Sequence, residues 1–545
     1  MLSLHGRHYD VREKGVHCEW VRAEGVRVVG MISNRIRGSH APVRRALAAR
    51  LTLAALAAVT LLAATGAGSR AVSGWTHEAT AKPVPTLYPG FGSAVAANDV
   101  GLVAMSGARD HDIGVDASAV AIGALRRGRF ERAGIARHPQ HRHDAGFGMS
   151  LALDDDNTLY VGAPELDGGT VFVFEGPEWT RAADDAIWHP VAELRSPTPQ
   201  QSARFGASIA VWGRGQGRRI VIGEPDRDMR SHQGIEGFRV GAAHVFERTG
   251  LGWSHACTLA SPFPGTTGRF GSSVAIHSDT VVIGEPGASR TVHGRTLWSC
   301  GDAWCAHRVD GQWQIQQQLQ APRPHALASF GSCVGIDGVT VAVAALREPI
   351  RAESPESVPP RRGIVHLFEC AGSGWPTDTA SKLAPWRPVQ RILPPTRRDE
   401  HFAAALSIRD GMIVIGAPAA TALADTRDSL SGTARSPRDR SNGDAGAPED
   451  DPPSRNPACG AAYIYEKAHT NTWIARARCV APDANDGWRD GVGVSLARRS
   501  DGCIGMVMSR GGDPEGPPGP GAVHAFTPLT MAMSAIPPRW LAGTG

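Results

Sequence analysis

One short phrase recurs along the chain, and it constrains the fold more than any other feature. Its clearest copy, residues 270–275, reads Phe-Gly-Ser-Ser-Val-Ala, and residues 281–286 follow it as Val-Val-Ile-Gly-Glu-Pro. Two runs of β-branched residues separated by a short polar turn are typical of a pair of antiparallel strands. Copies begin near residues 91, 147, 205, 270, 330, 402 and 492. A repeat of this length without a long helical pattern indicates a closed all-β architecture.

Each repeat continues with two further strand patterns. Residues 241–247 read Gly-Ala-Ala-His-Val-Phe-Glu, and the next segment begins at a tryptophan, such as Trp253, and ends near a proline. Four antiparallel strands repeated seven times predict an all-β, seven-bladed β-propeller. The phenylalanine of the repeat is expected to fill the gap between blades, and its glycine and small neighbours suit a crowded innermost strand.

The last repeat lacks its fourth strand, because the chain after Phe526 shows no further copy of that pattern. A matching segment, which runs from Trp75 to Pro89, stands directly before the first repeat. We therefore predict that this N-terminal segment completes the last blade. Such closure would leave no open sheet edge.

The repeated phrases Phe-Gly-x-Ser-Val-Ala, Gly-Ala-Pro and Gly-Ala-Ala-x-Val-Phe resemble FG-GAP repeats over about residues 75–528. These repeats form the blades of integrin α-subunit heads and of many exported bacterial proteins. In the integrin type, a calcium loop of spaced aspartates lies between the first two strands. Here only residues 154–157 approach that pattern, so Asp154 and Asp156 are weak metal candidates. The resemblance therefore implies the calcium-poor bacterial form, and we expect no cofactor unless calcium binds at this turn.

The N-terminal region looks like an export leader. Residues 1–71 carry a formal charge of +7 and the remainder −3, and an apolar run at 51–64 follows several arginines. We predict a signal peptide or signal anchor in residues 1–71, with Met31 as an alternative start. The expected location is secreted, cell-surface or periplasmic, with membrane attachment only if the leader stays uncleaved. The acidic remainder argues against nucleic-acid binding.

The predicted domain organisation places the propeller at residues 72–528 and a C-terminal tail at 529–545. Residues 423–458, within the sixth repeat, are rich in Arg, Asp, Ser, Pro and Gly and are expected to be a disordered insertion.

The cysteines admit two interpretations. Eight lie outside the leader, an even number in a compartment expected to be oxidising. Cys300 and Cys305 are the predicted local disulfide. The alternative is buried thiols on strands, which fits Cys333 and Cys503.

The connections between the second and third strands vary most in length, and in a four-stranded meander they share one face with the blade-to-blade links. Repeat proteins often place binding sites on such a face. The candidate binding residues predicted there are Asp110, His111, Asp112, His141, His143, Asp144, Arg227 and Asp228. Mixed histidine and carboxylate groups can bind a transition metal, but histidines in a solvated loop are more often plain surface residues.

Three functions are compatible with the sequence. The leading hypothesis is a monomeric, non-enzymatic binding or adhesion module for an extracellular protein or glycan. The alternative is an extracellular hydrolase-like enzyme with acidic and histidine residues at the axial mouth, although no catalytic motif occurs. A quinone-dependent propeller dehydrogenase is a weaker third possibility. Converging acidic and histidine side chains at the axis would favour an enzyme, and small apolar side chains would favour binding.

Overall fold

The computed structural model describes the strands and most of their connections. The described residues are 9–13, 16–23, 26–30, 75–81, 91–109, 118–126, 129–140, 142, 145–165, 167–176, 187–230, 236–263, 267–349, 362–370, 385–395, 399–420, 460–482, 489–498, 504–511 and 522–528. The chain divides into two compact units, Met1–Ala71 and Val72–Gly545.

The first unit contains a three-stranded antiparallel meander, and its strands are β1 (Tyr9–Glu13), β2 (Val16–Ala23) and β3 (Val26–Gly30). The predicted apolar run of the leader, 51–64, lies outside the described residues. Among the described residues, no helix is long and apolar enough to cross a membrane.

The second unit is the predicted seven-bladed β-propeller of four-stranded antiparallel blades. Each blade runs from an innermost first strand to an outermost fourth strand. Blades 1 to 3 consist of β5 (Val95–Ala97), β6 (Leu102–Arg109), β7 (Ser118–Arg126) and β8 (Arg129–Arg137); β9 (Ser150–Leu153), β10 (Thr158–Ala163), β11 (Thr170–Glu175) and β13 (Pro190–Leu194); and β14 (Ser208–Trp212), β15 (Arg219–Glu224), β18 (Ala242–Thr249) and β19 (Gly252–Ala260).

Blades 4 to 7 repeat the same order, and blade 7 takes its fourth strand from the N-terminal side. They consist of β20 (Ser273–His277), β21 (Thr280–Glu285), β24 (Asp302–Val309) and β25 (Gln312–Leu319); β26 (Phe330–Asp337), β27 (Thr340–Ala345), β28 (Ile364–Cys370) and β29 (Trp386–Ile392); β31 (Ala405–Arg409), β32 (Met412–Ala417), β34 (Ala461–Lys467) and β35 (Trp473–Cys479); and β36 (Arg489–Arg498), β37 (Ile504–Gly511), β38 (Ala522–Pro528) and β4 (Trp75–Ala81).

The remaining strands are short and lie in the connections. They are β12 (Ile187–Trp188), which pairs in parallel with β8, and the strands of three two-stranded ribbons, β16 (Met229–Arg230) with β17 (Glu236–Gly237), β22 (Arg290–Val292) with β23 (Arg295–Leu297), and β30 (Asp399–Glu400) with β33 (Ala419–Ala420). One 3-10 turn, Gly215–Gly217, is the helical element of the described residues.

The ring closes as the sequence predicted. Strand β4 pairs antiparallel with β38, with Trp75 opposite Pro528 and Ala81 opposite Val523. The innermost strands of successive blades contact one another around the whole axis, and β36 of blade 7 contacts β5 of blade 1. Strand β4 therefore covers the outer edge of blade 7, where the N-terminal and C-terminal segments of the propeller meet.

The phenylalanine of each repeat lies in the apolar layer between two blades. Phe205, Phe270, Phe330 and Phe402 are fully buried, each in a different core cluster. The junction of blades 6 and 7 has no phenylalanine from a repeat start, and aliphatic side chains including Leu496 fill it instead. The prediction that these rings fill the gaps between blades is confirmed for the described repeats that carry one.

Hydrogen bonds near the axis explain the serine of the repeated phrase. The hydroxyls of Ser150, Ser208 and Ser273 donate to the backbone oxygens of Gly206, Gly271 and Gly331, each in the next blade, at 2.6–2.8 Å. In blade 5, Cys333 takes the place of the serine, and its Sγ lies 3.3 Å from the Ala404 oxygen. The fourth residue of the phrase thus links each of these blades to the next.

The second-strand glycine makes this close approach possible. A Cβ atom on Gly223 would lie 1.9 Å from the Gly271 oxygen, and one on Gly284 would lie 1.9 Å from the Gly331 oxygen. Gly271 and Gly331 themselves adopt φ values of +86° and +88°, a conformation that favours glycine. Both glycines of the repeat are therefore required by blade-to-blade contact.

The structure contradicts the predicted disulfide between Cys300 and Cys305. Both thiols are free, and Cys305 lies inside strand β24 whereas Cys300 precedes it. The Cys300 thiol donates to the backbone oxygen of Ala288, 3.6 Å away, whereas Cys305 packs in an apolar core cluster with Phe330 and Val343. Proximity in sequence was misleading because the segment is a strand and not a turn. The other cysteines with described side chains, Cys257, Cys333, Cys370 and Cys479, are also free.

Candidate functional site

The propeller has two chemically different faces. The loop face carries the connections from second to third strand and the blade-to-blade links, and the turn face carries the hairpin turns. Of the predicted binding residues, Arg227 and Asp228 are described and lie on the loop face of blade 3. The others, Asp110, His111, Asp112, His141, His143 and Asp144, lie outside the described residues. Among the described residues, no group of three or more His, Cys, Asp or Glu is arranged to hold a metal ion.

Arg227 and Asp228 hold neighbouring connections together. The guanidinium of Arg227 donates to Glu224 at 3.0 Å and to the backbone oxygen and hydroxyl of Thr198, at 2.8 and 2.5 Å. The carboxylate of Asp228 accepts a hydrogen bond from the backbone N–H of Arg239 at 2.8 Å. The backbone N–H of Asp228 donates to the side-chain oxygen of Gln200 at 3.0 Å. Their polar groups are thus engaged in fixing the blade 2 to blade 3 link to the loop of blade 3.

Buried glutamates at the loop-face end of the blades pair with aromatic rings of the third strand. Nε2 of His244 lies 2.8 Å from Oε2 of Glu224, and Nε1 of Trp304 donates to Oε2 of Glu285 at 2.6 Å. In blade 2, the equivalent ring is Phe172, which has no N–H. The residue that aligns with the glutamates in that blade is alanine at position 163. Among blades 2 to 4, the carboxylate is present in the two blades whose ring has an N–H group to donate. This agrees with the rule that buried polar groups are hydrogen-bonded.

In blade 5, the third-strand ring is paired with a glutamate from a different position in the repeat. Nε2 of His366 lies 2.5 Å from Glu348, which stands three residues beyond strand β27, and Arg391 donates to the same carboxylate at 3.0 Å. Both His366 and Glu348 are buried. The pairing of ring and carboxylate is therefore kept although the spacing of the sequence changes.

Glu285 in blade 4 is a buried carboxyl with a pKa raised towards neutral pH. Burial raises the pKa of Glu285 to about 7, against the opposing effect of hydrogen bonds from Ser261 and Trp304. Burial likewise raises the pKa of its cross-strand neighbour Asp302 to about 6, although Arg290 forms an ion pair with that carboxylate. Between its ordinary pKa of 4.5 and about 7, Glu285 holds a proton in the folded state that the unfolded chain has released.

We expect the free energy of unfolding to fall as pH rises from about 5 to 8, by about 3 kcal/mol for Glu285 alone. In E285Q, the side chain stays uncharged, so the decline between pH 6 and 8 should largely disappear. Urea unfolding followed by tryptophan fluorescence at several pH values measures this. E165Q, which changes an exposed glutamate of blade 2, is the matched control and should keep the decline. An equally steep decline in E285Q would contradict the assignment.

On the turn face, Asp154 and Asp156, the two candidate metal ligands, both form ion pairs with one arginine. The Asp154 carboxylate accepts from the backbone N–H groups of Asp156 and Thr158 at 3.0 and 2.9 Å and from the Tyr160 hydroxyl at 3.0 Å. Arg218 of blade 3 lies 3.0 Å from Asp154 and 2.7 Å from Asp156. The guanidinium thus supplies the positive charge at these two carboxylates.

A second arginine crosses the axial mouth on the turn face. Arg409 at the end of β31 in blade 6 donates to Asp99 of blade 1 at 2.5 Å and lies 3.6 Å from Asp155 of blade 2. Asp155 also pairs with Arg214 of blade 3 at 3.2 Å. Asp99 and Asp155 are therefore paired with arginines, whereas Asp337 in the equivalent turn of blade 5 lies 3.9 Å from Nδ1 of His277 in blade 4.

A small polar pocket lies on the loop face beside blade 2, with a cavity volume of about 20 Å³. The charged residues that line it pair with each other, Arg142 with Asp167 at 3.7 Å and Arg195 with Glu193 at 2.5 Å. At its base, the buried ring of His138 packs edge-on against Phe172 with centroids 4.9 Å apart.

In the part of the chain that the structure describes, the exposed phenylalanine and tryptophan side chains lie on the loop face of blades 3 and 4. Phe238, Phe263 and Trp298 are the large aromatic residues exposed among the described residues, at 65%, 58% and 67% of their full surface. Phe238 and Trp298 lie in second-to-third-strand connections, and Phe263 lies in the link between the two blades. Solvent exposure of aromatic rings on one face marks a candidate interaction surface.

Sequence reasoning missed these three aromatic residues, because it searched the loops for charged and metal-binding groups. A signal was present, since Phe238 and Trp298 both stand four residues before the start of a third strand, at Ala242 and Asp302. Comparison of the repeats at that position would have revealed an aromatic residue outside the strand pattern.

Comparison of the chain with protein-family models finds no match. Comparison with curated protein sequences likewise finds none.

Proposed function

We propose that this chain is an exported FG-GAP-type propeller that binds an extracellular protein or glycan through its loop face, without catalysing a reaction. A propeller fold is compatible with a binding or scaffold role. The observation that carries the proposal is the exposure of three large aromatic side chains, Phe238, Phe263 and Trp298, on the loop face of blades 3 and 4. Aromatic residues are enriched at recognition surfaces because they combine a large apolar area with few rotatable bonds.

The charged groups of the turn face support the same proposal. Asp99 and Asp155 at the axial mouth each form an ion pair with Arg409. A catalytic site of the hydrolase type would instead need carboxyl groups or histidines directed at a substrate. We therefore favour recognition by the loop face over chemistry at this mouth.

The test compares variants of the two faces on arrays of glycans and of extracellular proteins. The full chain is expected to bind a small set of ligands, and the double variant F238A/W298A should lose them. L251A, which removes a fully exposed leucine on the turn face, is the control and should retain binding. Binding that survives F238A/W298A and is lost in L251A would overturn the proposal.

A further inference from the structure

We infer that Glu285 and Asp302 form a pH-sensitive switch beneath the loop face of blade 4. Two segments cover these carboxyl groups, the blade 3 to blade 4 link and residues 286–301. The cover stays closed while the two groups are protonated and opens when both ionise. We call Glu285 and Asp302 the carboxyl pair. The inference goes beyond the proposed function, because no ligand takes part in it.

The carboxyl pair is a local departure from the repeat. Glu285 lies directly opposite Asp302 on the neighbouring strand, and both side chains are buried. At the same register position, blade 3 places Glu224 opposite Ala242, and blades 2, 5 and 6 have alanine instead of the glutamate. Among blades 2 to 6, two facing carboxyl groups are thus found in blade 4. Like charges that are buried close together disfavour the state in which both are ionised.

The partners of Glu285 are neutral. The Ser261 hydroxyl donates to its carboxylate at 2.8 Å, and the indole N–H of Trp304 donates at 2.6 Å. In blade 3, by contrast, Glu224 accepts from the guanidinium of Arg227 at 3.0 Å. Among the described residues, Glu285 therefore has no cation paired with it to balance a negative charge.

Asp302 has one cationic partner. Arg290 of β22 forms an ion pair with it, and the side chain of Gln318 in β25 donates a hydrogen bond to it. The thiol of Cys300 lies nearby, and burial raises its pKa, so it is neutral near pH 7. One guanidinium therefore offsets one of the two negative charges that the carboxyl pair carries when both groups ionise.

The link between blades 3 and 4 lies directly on Glu285. A Cβ atom on Gly268 would be 2.2 Å from Oε1 of Glu285, so the backbone of the link touches the carboxyl group. The Ser261 hydroxyl, which donates to Glu285, also accepts from the backbone N–H of Phe263 at 3.3 Å. Movement of this link would therefore expose the carboxyl to water and displace the exposed ring of Phe263.

Residues 286–301 form the second part of the cover. This segment carries Arg290, the partner of Asp302, and also the exposed side chain of Trp298. It is joined to the link because the backbone N–H of Gly287 donates to the Gly268 oxygen at 2.9 Å. The two segments are thus coupled, and each carries one of the aromatic residues on which the proposed function rests.

The pH range of the switch follows from the two carboxyl groups. Burial raises the pKa of Glu285 to about 7 and that of Asp302 to about 6. Carboxyl groups in water have lower pKa values, so the closed cover binds more protons than an open one in which the pair is hydrated. The closed arrangement is therefore favoured below about pH 6 and loses stability as the pH rises through 6 and 7.

Amide hydrogen exchange of the full chain, followed by mass spectrometry at about pH 6 and about pH 8, tests the switch. The rates are divided by the intrinsic exchange rate at each pH. We expect the protection of residues 286–301 to fall by about tenfold or more between the two conditions. Low concentrations of urea should leave this exchange almost unchanged, because local opening exposes little surface.

Variants identify the groups responsible. In E285Q, one of the two charges cannot form, so the fall in protection should be smaller, and in E285Q/D302N it should be absent. E165Q, which changes an exposed glutamate of blade 2, is the matched control and should keep the fall of the parent chain. Residues 225–230 of blade 3, which follow Glu224, serve as the reference segment and should not respond to E285Q.

Three outcomes would overturn the inference. They are equal protection of residues 286–301 in the parent chain at the two pH values, a fall that persists undiminished in E285Q/D302N, and exchange that rises steeply with low urea, as global unfolding requires. The first of these needs no variant, so it holds even if a substitution impairs folding. Because no ligand is used, each of these outcomes leaves the proposed binding by the loop face intact.

Discussion

Deletion of residues 75–89 is expected to destabilise the propeller by about 4 kcal/mol or more and to promote aggregation. The deletion removes β4, so the backbone groups of β38 lose their partners and blade 7 ends in an open edge. It also removes Trp75 and Ala79, which pack in the apolar layers beside blade 7. Urea unfolding measures the loss, and light scattering detects association through the exposed strand.

Moving the same segment to directly behind Pro528 provides the control. Trp75 lies opposite Pro528, just as Gln312 lies opposite Val309 across the turn Asp310–Gly311. Joining Pro528 to Trp75 through a two-residue Asp-Gly turn should therefore restore the stability of the parent chain. Equal stability of the deletion variant and the parent, or a relocated segment that rescues nothing, would show that β4 does not close the ring.

The variant G284A is expected to lose about 3 kcal/mol or more of its free energy of unfolding. Its new methyl group would lie 1.9 Å from the Gly331 oxygen and 2.3 Å from the Ser273 hydroxyl, closer than atoms in contact can approach. Blades 4 and 5 would have to separate near the axis, where the chain cannot relax locally. Urea unfolding at pH 7 measures the effect.

The variant G250A is the matched control for G284A. Gly250 lies in a hairpin turn, and no heavy atom lies within 4 Å of a Cβ placed there. The substitution should change stability by less than about 1 kcal/mol, because it fills open space. Similar losses in both variants would mean that G284A acts through helix or strand propensity and not through contact between blades.

Much of the fold could be predicted because each repeat contains the local sequence signals that define its own strands and turns. Alternating β-branched residues define each strand, the proline after β15 and β21 ends the ladder, and the missing fourth strand of blade 7 leaves only one segment to fill it. The buried phenylalanines could be predicted as well, because one large ring per repeat needs a place between blades.

The partners of the charged side chains could not be predicted, because they come from distant parts of the chain. Arg409 and Asp99 are 310 residues apart and meet only because the ring brings blades 6 and 1 to one mouth. The predicted disulfide failed for the opposite reason, since Cys300 and Cys305 are close in sequence but separated by an extended strand. The exposed rings of Phe238 and Trp298 lie in loops whose course depends on neighbouring blades.

The absence of the glutamate from blade 2 means that its second strand cannot be exchanged with that of blade 3 or blade 4 without loss of a buried hydrogen bond. If the second strand of blade 4 were exchanged for that of blade 2, the indole of Trp304 would face alanine and lose its acceptor. The reverse exchange would place Glu285 against Phe172, which has no hydrogen to donate. An exchange of blade segments is therefore expected to preserve the buried ring–carboxylate pair when the second and third strands move together.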